Sequence, residues 1–171
     1  MGKPLTEIST ELQGFIEAQK MFFVSTAPLA GDGHINISPK GLDALRILNP
    51  RTIAYLDLFG SGIETIAHLR QNGRITIMLC AFDGPPRIVR LYGQGRVAQA
   101  GSAEYLKLRP LFPVMPGERS IIVVSLDRVA DSCGFAVPLF KFEGQRAQLL
   151  TAAEKKGPER SEEPRLNSSH I

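Results

Sequence analysis

Two stretches of alternating strand and turn signals limit what this chain can become. Met21–Gly41 reads as an apolar strand (Met21–Thr26), a Gly/Asp/Pro turn (Pro28–Gly33) and a second strand (Ile35–Ser38) that runs into Pro39-Lys40-Gly41. After it come a strand from Thr52 to Asp57, a glycine-rich turn, a short helix ending near Gln71, a strand over Arg74–Phe82, a tight Asp83-Gly84-Pro85-Pro86 turn and a long strand over Arg87–Ala100. Val, Ile, Leu and Tyr crowd these runs, and Gly, Pro or Asp bound them, as strands require. Ala44–Leu48 and Ser120–Val129 read the same way. Gly93 and Gly95 interrupt the longest strand, as at a bulge or barrel corner. Six or seven strands with two or three short helices predict a mainly β, antiparallel closed barrel, which leaves no open sheet edge.

Apolar residues at Leu5, Ile8, Leu12, Phe15 and Ile16 share one helical face, so residues 1–18 are expected to form an amphipathic helix that covers a barrel end or a partner. Ser102–Leu111 reads as another helix, ended by Pro110 and Pro113. The 171 residues suit one domain, taken here as 1–159. Residues 160–171 carry one large apolar side chain, Leu166, before the terminal Ile171. They resemble translated sequencing-adapter sequence or a disordered natural tail, and are expected to add nothing to the fold.

The net charge of +3 tolerates an anionic ligand, but no Lys/Arg cluster argues for nucleic acid. No apolar run reaches the roughly 18 residues of a membrane span, and the N-terminus lacks a signal-peptide core. A cytoplasmic address is the expectation by elimination. Cys80 and Cys133 lack a CxxC partner, so no metal site is expected.

Several residues admit both a structural and a chemical reading. Ser61 and Glu64 match a capping box for a helix over 62–71, and the same helix start could present free N–H groups to a phosphate. Lys40 is either an exposed strand-end lysine or a ligand cation beside Gly41. Asn36 and Ser38 share a strand face that either lines a ligand or meets solvent. Arg87 and Arg90 point to opposite faces, so at most one enters a pocket from this strand. His34 and His68 each read as a surface histidine or a haem ligand. Cys133-Gly134 has no base or cation close by in sequence, which favours packing or a dimer contact over thiol chemistry.

The order and spacing of Met21–Gly41 and Thr52–Val97 resemble the FMN-binding split-barrel family related to pyridoxamine 5′-phosphate oxidase. The resemblance covers about Gln19 to Leu139. It implies a six-stranded split barrel, a homodimer with flavin between the subunits, and an FMN-dependent oxidoreductase acting on a small molecule. It implies cofactor contacts from Asn36, Ser38, Lys40, Asp57, Ser61, Gly62, Thr65 and Arg90. Related split barrels hold a deazaflavin or haem instead, and a non-catalytic binding protein for any of the three is the alternative. Where the oxidase carries Ser-Arg-Lys at the helix start, this chain has Ile63-Glu64-Thr65, and Ile35 stands where the oxidase has an arginine. Two basic phosphate ligands are thus absent. Relatives often continue past a segment like Lys155-Lys156-Gly157, so the chain may be expected to be a fragment.

Overall fold

A computed structural model describes residues 5–60 and 63–156. Seven antiparallel strands form one sheet: β1 (Phe22–Thr26), β2 (Asn36–Lys40), β3 (Leu45–Asn49), β4 (Thr52–Leu58), β5 (Arg74–Cys80), β6 (Ile88–Gln99) and β7 (Glu118–Ser132). Their order is β2-β1-β5-β6-β7-β4-β3. All seven lie where the sequence patterns marked strands, including Ala44–Leu48, and the count is one more than the six-stranded barrel that the resemblance implied. The sheet curls into a split barrel. Among the described residues no ladder joins β2 to β3, and the side chains of Lys40 on β2 and Asp57 on β4 meet across the gap instead.

Register decides which face is inside. Val24, Ile77, Leu91 and Val129 lie side by side across β1, β5, β6 and β7, and all are buried. Their strand neighbours Phe23, Met78, Arg90 and Ala130 form the adjoining row on the outer face. The bulge expected near Gly93 is present: Tyr92 pairs with Arg128 but Gly93 pairs with Leu126, so β7 carries one extra residue. A side chain on Gly93 would meet the Ser125 carbonyl oxygen at 2.1 Å, so only glycine fits this approach.

Among the described residues, four α-helices and a short 3-10 turn surround the sheet. α1 spans Thr10–Ala18, starting later than the pattern suggested because the Ser9 hydroxyl accepts from the Leu12 N–H and caps it there. Leu5 instead exchanges backbone bonds with Val129. Ile8, Leu12 and Ile16 are buried against the barrel end, as the periodicity predicted. α2 spans Glu64–Asn72 and packs against β1, β5 and β6. Gly95 opens room for it: a side chain there would lie 2.8 Å from Leu69 Cδ2. α3 (Ala103–Leu108) is capped by Ser102 and continues into a 3-10 turn over Arg109–Leu111. α4 (Gln148–Lys156), which the sequence patterns did not announce, seats Ala153 against Gly117. Residues 157–171, including the segment expected to be foreign, lie outside the described residues.

Candidate functional site

β2 turns its polar face inward. Asn36, Ser38 and Lys40 pair with Thr26, Val24 and Phe22, which are all buried, while Ile35 and Ile37 are 68% and 65% exposed on the other side. This face is half-buried, which favours partners for its polar groups, and each residue has one. Asn36 Nδ2 donates to Thr65 Oγ1 at 3.1 Å, Ser38 Oγ donates to Asn36 Oδ1 at 3.3 Å, and Lys40 Nζ donates to Asp57 Oδ1 at 3.3 Å. The strand therefore ties the first turn of α2 at one end to β4 at the other.

Asp57 is the centre of the second half. It is 1% exposed, and a buried carboxylate must be paired. Lys40 takes one oxygen. The other accepts from Arg119 Nε at 2.8 Å, with Ser120 Oγ at 3.5 Å. The reach of Arg119 comes from a second bulge. Asp57 pairs with Ser120 and Leu58 with Glu118, which leaves Arg119 as the extra residue on β7. Such a residue escapes strict alternation, and two neighbours then face one partner. Glu118 itself is occupied elsewhere, by Arg109, the Tyr105 hydroxyl and the Met115 N–H.

Tyr55 lies two residues before Asp57, on the same strand face. Its ring meets Phe22 edge-on at 5.6 Å, and the Lys40 ammonium stands 5.8 Å from its centre. Its hydroxyl is the buried side-chain polar atom left without a partner among the described residues. Burial, and secondarily the Asp57 charge, raise this phenol well above its usual value, so it stays protonated and keeps an O–H to donate. Beside the cluster, a groove of about 310 Å³ opens between α1 and β3, lined among others by Ile16, Phe22, Gly41, Leu45 and Arg46.

α2 begins later than expected. Ile63 stands at its N-cap with no side-chain cap bond, and the helix runs 64–72 instead of 62–71. Ser61 and Gly62 lie outside the described residues. His68 is not a surface residue: it is 5% exposed, and its Nδ1 lies 3.0 Å from Thr26 Oγ1. Desolvation lowers its pKa, more than the Thr26 contact and Glu64 raise it. His34 is exposed.

The candidate residues thus fall into three groups. Asn36, Ser38 and Thr65 form one chain of contacts, and Lys40 and Asp57 form another. Arg90 is apart from both, on the outer face of β6, where its guanidinium donates to Ser132 Oγ at 3.1 Å. Arg87 pairs with Asp131 and Glu11. Gly134, at φ 64°, packs directly on the Arg87 backbone, so the Cys133-Gly134 segment serves packing at the glycine. Sequence reasoning missed Tyr55 and Arg119. The alternation Tyr55-x-Asp57 was available as a signal, whereas nothing in the residues around Arg119 announces the bulge.

A family model described as pyridoxamine 5′-phosphate oxidase matches residues 8–133. The pyridoxamine 5′-phosphate oxidase family protein ustO of Aspergillus flavus is 44% identical over 136 residues, which cover 77% of this chain and 54% of that protein. The chain therefore spans about half the length of this curated relative. Among solved structures, HupZ of Group A Streptococcus superposes with a TM-score of 0.56 at 18% identity, covering 73% of this chain and 94% of that one. An FAD-binding protein of Mycobacterium smegmatis gives 0.53 at 14% identity, with 72% and 91% covered. An FAD-binding protein of Mesorhizobium loti gives 0.52 at 13% identity, with 73% and 94% covered. At such identities the three likenesses speak for the fold alone.

Proposed function

The chain belongs to the pyridoxamine 5′-phosphate oxidase family, and from that premise we propose that it is an FMN-dependent oxidoreductase of a small molecule, acting as a homodimer with the cofactor between the subunits. The observation that carries this reading is the inward polar line Asn36–Ser38–Lys40, joined to α2 through Thr65 and to Asp57 and Arg119 across the barrel gap. Its chemistry fits a flavin nucleotide. Two cations suit a phosphate or an electron-rich ring edge, and amide and hydroxyl groups suit the ring's own donors and acceptors. The FAD-binding proteins of similar fold lend support to a flavin in general.

The placement of Arg90, if it contacts the cofactor as the resemblance implies, supports two subunits. It faces outward on β6 while Lys40 faces inward on β2, so one ligand touches both types of surface only where two copies meet. The exposed Ile35 and Ile37 on the outer side of β2 supply apolar area for such a contact. Bound flavin would supply the hydride or electron transfer, and the protein would bind and orient. The groove lined by Gly41 and Phe22 offers a small molecule room. A second reading, flavin binding without turnover, is favoured by one observation: His68 and Tyr55 are buried, at 5% and 0% exposed, which keeps both from a substrate as acid or base.

The test is a visible spectrum of the purified protein, light scattering, and FMN titration of wild type, Lys40→Ala and Arg87→Ala. A dimer that binds FMN is expected. Loss of one charge-assisted contact costs about 1.5–3 kcal/mol, so Lys40→Ala should bind roughly ten- to a hundredfold more weakly. Arg87, engaged by Asp131 and Glu11, should matter little. A monomer, or a colourless protein indifferent to FMN, would refute the reading.

A further inference from the structure

We propose that the groove between α1 and β3 binds a small zwitterion with one ring, the size of an aromatic amino acid, with its ammonium on Glu17 and its carboxylate on Lys20. Such a ligand is the substrate class for the small-molecule reaction proposed above and rests on that reading, while its binding stands apart from the flavin. The volume of the groove, about 310 Å³, sets the size. A dry cavity of about 150 Å³ takes benzene, so this groove takes a ring with a short polar chain. Its floor is apolar: Ile16, Phe22, Ala44 and Leu79 are each at most 4% exposed. Phe22 adds an aromatic partner for a ring.

The walls are fixed before any ligand arrives. Leu42 and Asp43, in the turn from β2 to β3, take φ of 63° and 55°. A bulky leucine in the left-handed region is an outlier of the kind that gathers at functional sites. Arg46 locks this turn. It donates to both carboxylate oxygens of Asp43 at 2.9 Å, to the Asp43 carbonyl at 3.0 Å and to the Leu111 carbonyl at 2.8 Å. Asp43 and Arg46 line the groove but spend their charges on each other. Gln145 ties the end of α1 to the turn. Its Nε2 donates to the Lys20 carbonyl at 3.0 Å, and its Oε1 lies 2.7 Å from where Gly41 would carry a side chain.

The charges left for a ligand are Glu17 and Lys20, which both line the groove. Among the described residues neither forms an ion pair, with the other or with a third group. Glu17 Oε1 accepts from Gln13 Nε2 at 2.8 Å, which leaves Oε2 open among the described residues. Glu17 lies in the last turn of α1, and that turn carries no basic residue, so the carboxylate and the negative helix end add instead of cancelling. A ligand ammonium supplies the missing cation. Lys20, two residues past the end of the helix, offers a carboxylate its charge-assisted bond. A purely anionic ligand would meet Glu17 and a purely cationic one would meet Lys20, whereas a zwitterion satisfies both.

The experiment titrates the full chain calorimetrically, with and without FMN, against three probes: L-phenylalanine, 3-phenylpropionate, which lacks the ammonium, and phenethylamine, which lacks the carboxylate. Exposed ion pairs are weak, so each missing charge should cost about two- to fivefold in affinity. L-phenylalanine should bind tightest. Lys20→Gln should weaken L-phenylalanine and 3-phenylpropionate and leave phenethylamine no weaker. Glu17→Gln should weaken L-phenylalanine and phenethylamine and leave 3-phenylpropionate no weaker. Both side chains are exposed, so the two variants keep the fold. A ranking in which L-phenylalanine is not first, variants that fail to sort the probes in this crossed way, or no binding at millimolar concentration overturns the proposal. The crossed pattern in a chain that takes up no FMN upholds the groove and refutes the flavin reading. Uptake of FMN without binding of any probe upholds the flavin reading and refutes the groove.

Discussion

Gly93 and Gly95 sit two residues apart on β6, and the same substitution at each should have unequal consequences. In Gly93→Ala the new methyl would stand 2.1 Å from the Ser125 carbonyl oxygen, 2.9 Å from its carbon and 3.1 Å from Leu126 Cα. All three are backbone atoms of β7 at the bulge, where the strands are locked by their ladder. Relief requires separating β6 from β7, which breaks the longest pairing in the sheet. In Gly95→Ala the methyl meets Leu69 Cδ2 at 2.8 Å, the far end of a side chain that rotates, and Ile75 Cγ2 at a milder 3.2 Å. Overpacking relieved by side chains costs about 1–3 kcal/mol, and backbone clashes cost more. Against either cost, alanine narrows the unfolded ensemble by about 0.4–1 kcal/mol. We expect Gly95→Ala to lose about 1 kcal/mol and Gly93→Ala about 4 kcal/mol or more. For a chain of this size each kcal/mol moves the melting temperature by about 2–4 °C, so the two variants should differ by roughly 6–12 °C. Thermal and urea unfolding of both variants decides it. Equal stability, or a larger loss at Gly95, would refute the argument that mobility of the struck atom sets the cost.

His68 gives a pH prediction. Its folded pKa lies below the ordinary 6.5, chiefly through desolvation, so the unfolded chain takes up the proton first as pH falls. Its contribution is complete above about pH 6.5 and is lost as pH falls from there towards the folded value. Stability should drop in that window in wild type, and the drop should shrink in His68→Gln; parallel stability–pH curves would count against it. Arg109→Ala strips Glu118 of its guanidinium partner while Tyr105 and Met115 still donate to it. A loss of about 2 kcal/mol, read as a fall of about 4–8 °C in melting temperature, is expected. An unchanged melting temperature would show that the Arg109–Glu118 pair adds nothing to the fold.

The strand series, the α1 face and the glycine-marked irregularity in β6 were legible because they are local. Period-two and period-3.6 patterns follow from backbone geometry, and a glycine in a strand reports that something comes close. The polar alternation of Asn36, Ser38 and Lys40 was equally plain, but its direction was not. A lone strand has two faces, and only pairing of Lys40 with Phe22 and of Ser38 with Val24 turned the polar one inward. Arg90 shows the same limit: its alternation with Tyr92 was readable, while its separation from Lys40 depended on sheet register. Arg119 was illegible, because a bulge is a mismatch between two strands 62 positions apart at the Arg119–Asp57 contact and belongs to neither sequence alone. Local sequence thus determined the elements and the residue types available to a site. Tertiary structure decided which face each strand presented, and placed Lys40, Asp57, Arg119 and Tyr55 together, because convergence across a curled sheet depends on register and curvature, which no single segment encodes.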